Sequence, residues 1–279
     1  MEKKRILVIG GTGYIGREIV KLISFKNNVT VLSIQDHKSN SVKYVKASVL
    51  DKPFLMSFLK DFDMVIYLAA IIRTFNKSKY KENVLGLKNT LEAMHENGIK
   101  KIIYFSTQNI YIPKTGHYGN SKKLCENIIK ESNLDYLVIR PNYVYGVDKV
   151  NDFYKLFSIM KKFRICPVIG NGKNRVQPVN KMDIAEIVVS LLDDSDLKKE
   201  VNISGKTTLS LLDLINMIKQ KSNLKVLTIK VPLCLLKPFK FFIPFDVDGY
   251  DSNRVSPKGA LILYGESNIK DDISEIVKL

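Results

Sequence analysis

Gly10-Gly11-Thr12-Gly13-Tyr14-Ile15-Gly16 constrains this chain more than any other segment. It separates an apolar, strand-like run, Ile6-Leu7-Val8-Ile9, from a helix-like one, Tyr14–Ser24. Within it lie GxGxxG at Gly11, Gly13 and Gly16 and GxxGxxG at Gly10, Gly13 and Gly16. A strand that passes straight into a helix needs positions without a Cβ, both to turn sharply and to let backbone approach a ligand closely. The helix that follows aims unpaired N–H groups and a positive dipole end at the turn, a setting suited to a pyrophosphate. Strand, glycine turn and helix in this order predict a dinucleotide site, with Gly10, Gly13, Tyr14, Ile15 and Gly16 against the cofactor.

The rest of the chain repeats the rhythm. Val29–Ser33, Met64–Leu68, Ile102–Phe105 and Tyr136–Ile139 read as buried strands, and Pro53–Leu59, Tyr80–Asn97 and Tyr118–Ser132 as helices. Continuous apolar strands alternating with amphipathic helices predict an α/β fold, a doubly wound parallel-sheet Rossmann domain covered on both faces. After Gly146 the pattern loosens. Asp152–Phe163, Lys181–Leu192 and Leu211–Lys221 read as helices, the last capped by Ser210 with Asp213, and Val201–Ile203 as a strand. Residues 230–279 read as irregular. The expected division is a dinucleotide-binding domain over 1–145 and 177–204, with a smaller C-terminal α/β substrate domain over 146–176 and 205–279.

Composition narrows the partners. The net charge is +16, but no basic run carries interleaved aromatics, so the charge reads as solvated lysines and nucleic acid is not an expected partner. The most apolar stretch, Pro232–Phe245, is broken by three prolines, Lys237 and Lys240. It reads as a substrate-domain wall or contact surface and not as a membrane span. Cys125, Cys166 and Cys234 are far apart and read as buried free thiols, and neither they nor other residues form a metal-ligand pattern. With no signal-peptide pattern at Met1–Arg5, the expected compartment is the cytoplasm.

Tyr118-Gly119-Asn120-Ser121-Lys122 is YxxxK at the start of a helix, and four-residue spacing places both side chains on one face. A phenol ordinarily ionises near pH ~10. A nearby ammonium and an oxidised nicotinamide both favour the phenolate, which would let Tyr118 relay a proton to a carbonyl or alcohol. Tyr104-Phe105-Ser106-Thr107 ends the preceding strand, where open α/β sheets bind ligands. Thr107 or Ser106 is therefore expected to hydrogen-bond the reacting oxygen. At the end of the second strand the acid that would hold a ribose 2′-hydroxyl is replaced by Ser33. Asp36 reaching back would favour NAD; His37 or Lys38 meeting a 2′-phosphate would favour NADP. Both cofactors stay open.

Taken together, Gly10–Gly16, Leu68-Ala69-Ala70, Asn83-Val84-Leu85-Gly86, Phe105-Ser106-Thr107, Tyr118 with Lys122, Arg140-Pro141-Asn142-Tyr143-Val144-Tyr145-Gly146 and Gly170-Asn171-Gly172 with Arg175 and Asp183 stand in one order. That order resembles the extended short-chain dehydrogenase/reductases of the NAD-dependent epimerase/dehydratase family, over about residues 1–220. The resemblance implies Thr107, Tyr118 and Lys122 as catalytic residues. It puts Ala69 and Ala70, with Tyr118 and Lys122, on the cofactor, counts Asn83, in support of the site, and Asn142 among the substrate-binding residues, and has Arg175 facing a substrate diphosphate. It also implies a nucleotide-linked sugar or similar small molecule as substrate, and a homodimer is compatible with it.

Departures from the family shape the expected chemistry. Thr107 and Tyr118 are 11 residues apart (118 − 107), shorter than in many relatives, so the pocket rim is trimmed. Relatives that dehydrate sugars carry Asp-Glu after the hydroxyl, where this chain has Gln108-Asn109. What survives is reversible hydride transfer, as in an epimerase or a ketoreductase. A non-catalytic NAD(P)-binding structural or regulatory module is the alternative.

Overall fold

The computed structural model describes residues 3–192, 199–236 and 252–279. Its first half builds strands β1 (Arg5–Ile9), β2 (Asn28–Ser33), β3 (Lys43–Lys46), β4 (Met64–Tyr67), β5 (Lys101–Phe105) and β6 (Asp135–Pro141). Between them run helices α1 (Gly16–Ile23), α2 (Lys52–Phe58), α3 (Lys81–Glu96) and α4 (Gly116–Lys130). Then follow β7 (Val144–Tyr145), α5 (Asp152–Phe163), β8 (Ile165–Ile169), β9 (Arg175–Val176), β10 (Val179–Asn180), α6 (Lys181–Leu191) and β11 (Lys199–Gly205). The chain closes with β12 (Leu209–Ser210), α7 (Leu211–Ser222), β13 (Leu227–Val231), α8 (Leu233–Leu236), β14 (Ile262–Gly265) and α9 (Ile269–Ile276).

Eight strands pair in the order β14-β11-β6-β5-β4-β1-β2-β3, every neighbour parallel. The order reverses between β1 and β4, and the crevice at that switch point is where doubly wound sheets hold dinucleotides. Period-two alternation sorts the strand residues onto the two faces. Ile6, Val8, Val31, Ile66, Ile103 and Ile139 face α1 and α6, where Ile19, Ile23, Ile184 and Val188 complete the layer. Leu7, Ile9, Val65, Tyr67, Tyr104 and Val138 face α2, α3 and α4. Both faces are buried, which is why the strands read as unbroken apolar runs.

A second core lies beside the sheet. Phe153, Phe157 and Met160 of α5, Ile215 and Ile218 of α7, and Ile269, Ile273 and Ile276 of α9 pack against Cys166 and Val168. Most of this core comes from the stretches expected for the smaller unit. The exception is β14, which joins the large sheet beside β11 although it falls within 205–279. The expectation of an irregular tail is corrected: β14 and α9 stand in it, α9 capped by Asn268, whose side chain accepts from Lys270 N.

Other differences are local. α1 starts at Gly16, two residues later than its apolar spacing suggested, because residues 10–15 are spent on the turn. β3 was not expected: Lys43-Tyr44-Val45-Lys46 is an edge strand with exposed ends and no apolar run. Ser210 and Asp213 form the expected capping box of α7. Cys125 and Cys166 are buried thiols, but Cys234 is exposed, contrary to expectation. Of the Pro232–Phe245 wall, only 232–236 lies within the described residues. Among those residues no helix is long and apolar enough to cross a membrane.

Candidate active site

A cleft of about 1060 Å³ opens at the carboxyl ends of the strands. The glycine turn forms one end. Gly10 has φ +84°, and a Cβ there would lie 2.7 Å from Ala69 N. A Cβ on Gly16 would come within 2.5 Å of Gly10 O, so α1 could not seat so close to β1 with any other residue. Gly13 differs: a Cβ would meet only Gly10 O at 3.2 Å, and the residue is exposed on the cleft. Ile15 precedes α1 and offers no capping side chain, so the first-turn N–H groups lack the usual side-chain acceptor. This open backbone cradle fits a pyrophosphate, and Tyr14, Ile15, Ala69 and Ala70 line the cleft beside it.

The other end of the cleft is built by β5 and α4. Ser106 is 5% exposed, and its Oγ has no hydrogen-bond partner among the described residues, although it lines the cleft. A buried orphan hydroxyl is costly, and a ligand atom is the kind of partner that would offset it. Thr107 caps the short 3-10 turn Gln108–Tyr111, its Oγ1 accepting from Asn109 N at 3.2 Å. The same hydroxyl keeps its proton to donate into the cleft. Tyr118 and Lys122 line the cleft from α4.

Lys122 is 2% exposed; its ammonium donates to Phe105 O at 2.6 Å and lies 4.6 Å above the Tyr104 ring. Burial lowers the Lys122 pKa from 10.5 to about 8. Burial also pushes the Tyr118 phenol above its ordinary value, as do neighbouring Tyr80 and Cys125. Burial thus favours the protonated phenol, and the expected phenolate depends on the charge that an oxidised nicotinamide would add.

Two expected substrate residues are committed to the protein. Asn83 is a clamp: its Oδ1 accepts from Ile71 N at 2.7 Å, and its Nδ2 donates to Ile71 O and Ser121 Oγ, both at 3.1 Å. It fixes the strand-end loop to the helix that carries Tyr118. Asn142 donates to Gln108 Oε1 (2.6 Å) and Arg254 O (2.8 Å) and accepts from Tyr143 N and Gln177 N. Both residues line the cleft, but as positioning groups. Arg175 is not brought to the cleft: it is exposed on β9 and pairs through its backbone with Asn253 and Arg254.

Sequence reasoning missed Arg254, which does line the cleft and donates to Asn109 Oδ1 at 3.2 Å. Its only sequence signal is that Asp251-Ser252-Asn253-Arg254 loosely echoes the arginine–aspartate (RxxD) pair that the family carries near its C-terminus and this chain lacks. Gln108 was read only as an absent acid. It is 3% exposed, donating to Arg140 O, Ile203 O and Ser204 Oγ and accepting from Asn142 and Ser256. Beneath it, Arg140 makes a bidentate pair with Glu126 (2.9 and 2.5 Å) and bonds Glu200 and Tyr111. That network anchors the short segment between Thr107 and Tyr118.

The model of the NAD dependent epimerase/dehydratase family matches residues 6–204. The N-acetyl-alpha-D-glucosaminyl-diphospho-ditrans,octacis-undecaprenol 4-epimerase of Escherichia coli is 26% identical over 250 residues, covering 81% of this chain and 75% of that protein. The UDP-glucose 4-epimerase of Thermotoga maritima, solved with UDP-glucose, superposes with a TM-score of 0.81 at 18% identity, over 98% of this chain and 97% of that one. The UDP-glucose 4-epimerase of Thermus thermophilus, solved with NAD, gives a TM-score of 0.75 at 20% identity, over 98% of both chains.

Proposed function

The chain belongs to the NAD dependent epimerase/dehydratase family, and from that premise we propose that it is a 4-epimerase or ketoreductase acting on a sugar carried by a diphosphate. One observation carries the reading: Ser106, Thr107, Tyr118 and Lys122 converge on the cleft that the glycine turn closes. Relatives supply the substrate class, since one acts on a polyprenyl-diphosphate sugar and another was solved with UDP-glucose. What these substrates share is a sugar on a diphosphate, and Arg254 at the cleft is the cation suited to it.

A nicotinamide dinucleotide held by the Gly10–Gly16 turn, Ala69 and Ala70 would supply reversible hydride transfer at the sugar's alcohol or carbonyl carbon. The residues supply the rest. Tyr118, protonated in its buried setting, donates to the oxygen of a carbonyl being reduced and recovers that proton when an alcohol is oxidised. Thr107 donates to the same oxygen and orients it. Lys122 places a positive charge under the site, which favours the phenolate at the moment Tyr118 must act as a base. Dehydration needs a further acid and base beside the hydroxyl. Gln108 is an amide with its donor and acceptor both engaged, so it moves no proton.

Tyr118→Phe tests the reading. The ring still packs, dinucleotide affinity stays within a few-fold, and turnover on any accepted diphosphate sugar falls about a hundredfold or more, the usual contribution of a positioned acid–base group. A variant within a few-fold of the parent would remove Tyr118 from the chemistry.

A further inference from the structure

We infer that this chain binds NAD and NADP with little discrimination, because Thr12 and Ser33 form a neutral corner where a selective relative needs a charge. The inference rests on the dinucleotide reading of the cleft and concerns only its ribose end. A carboxylate at the end of the second strand accepts from the adenosine ribose hydroxyls and repels a 2′-phosphate, whereas a cation there attracts that phosphate. This chain presents neither. Ser33 ends β2 and is 8% exposed. Its Oγ lies 2.8 Å from Thr12 Oγ1 and accepts from Gln35 N at 3.1 Å. Thr12, Ser33 and Gln35 all line the cleft, and all are neutral hydrogen-bonding groups.

The charged residues of the neighbouring loop turn elsewhere. Asp36 is 78% exposed, lies outside the cleft lining and pairs with Lys46 at 3.3 Å. Lys46 is the β3 partner of Ser33 in the sheet register, so the cation nearest Ser33 along the sheet is already matched to that acid. His37 packs its ring on Tyr44, with centroids 4.4 Å apart. His37 and Lys38 do not line the cleft either. The acid that would have selected NAD and the cations that would have selected NADP are thus both absent from the corner. A hydroxyl pair can hydrogen-bond a ribose hydroxyl or a phosphate oxygen alike, so the added phosphate is neither expelled nor gripped.

The test is direct binding to the full chain, freed of copurified dinucleotide by charcoal. NADH and NADPH are titrated by the fluorescence of bound reduced nicotinamide, and NAD and NADP by calorimetry. The expected result is a pair of dissociation constants within about tenfold of each other in each redox state. Ser33→Asp is expected to weaken NADP by about thirtyfold or more while leaving NAD equal or tighter, since it restores the charge-assisted acceptor and the repulsion. A parent preference larger than tenfold in either direction would overturn the inference and leave the cofactor reading intact. Binding of neither dinucleotide would overturn both. If Ser33→Asp does not fold, the parent ratio alone decides.

Discussion

Replacing Lys122 by Met uncouples two roles of that residue, and the size of the effect can be worked out. The side chain is 2% exposed, and its pKa falls from 10.5 to about 8 because burial penalises the ammonium. At about 1.4 kcal/mol per pH unit, the folded chain carries a penalty of about 3 kcal/mol for keeping Lys122 charged at neutral pH. The sign follows from proton counts. Between about pH 8 and 10.5 the unfolded chain holds this proton and the folded chain has released it, so stability rises with pH across that window and the penalty is complete below it. Lys122→Met keeps the apolar stem but leaves Phe105 O without its donor, a loss of about 1.5–3 kcal/mol for a charged bond. The two effects nearly cancel at pH 7, so the variant is expected to be about as stable as the parent there. From pH 7 to 9.5 the parent gains about 2 kcal/mol on the variant, because only the parent sheds the penalty. Urea unfolding of the dinucleotide-free chain in that range, with equal slopes for the two proteins, measures the difference. A difference that stays flat, or moves the other way, would show that Lys122 is not a buried ammonium against Phe105 O.

Further consequences are open to test. Gly13→Val should leave the fold nearly intact, since only Gly10 O at 3.2 Å meets a new Cβ, yet abolish measurable dinucleotide binding by calorimetry because the branched side chain fills the pyrophosphate cradle. Glu126→Ala removes the bidentate partner of Arg140 but leaves it Glu200 and Tyr111, and should destabilise the chain by about 1.5–3 kcal/mol in urea unfolding. Arg254→Met should raise KM for diphosphate sugars by about tenfold or more with kcat less affected, whereas Arg175→Met leaves both within a few-fold.

The large sheet and the gathering of Thr107, Tyr118 and Lys122 at one cleft were legible because each rests on local pattern. Buried strands such as Val65-Ile66-Tyr67 announce themselves, a glycine turn between strand and helix has few other uses, and YxxxK on a helix fixes its own spacing. What stayed hidden depends on groups distant in sequence. Asn83 and Asn142 looked like substrate contacts, but their amides are committed to Ile71, Ser121, Gln108 and Gln177, pairings that only the fold creates. Arg254 reaches the cleft from a loop far along the chain, while Arg175, sited by family order, is exposed and does not line it. β3 escaped notice because an edge strand need not bury both faces and so lacks a continuous apolar run; β14 does stand in such a run, Leu261-Ile262-Leu263-Tyr264, but in a stretch otherwise broken by prolines and lysines.

The most direct test of hydride chemistry in this cleft is a single turnover followed at the absorbance of reduced nicotinamide. The full chain loaded with NAD is mixed with excess UDP-hexoses and, separately, with polyprenyl-diphosphate sugars. A transient rise in reduced nicotinamide is expected with at least one of these substrates, lost or slowed about a hundredfold in Tyr118→Phe. A chain that binds both dinucleotide and diphosphate sugar, yet never shows that transient and never interconverts the sugar, would contradict hydride chemistry in this cleft.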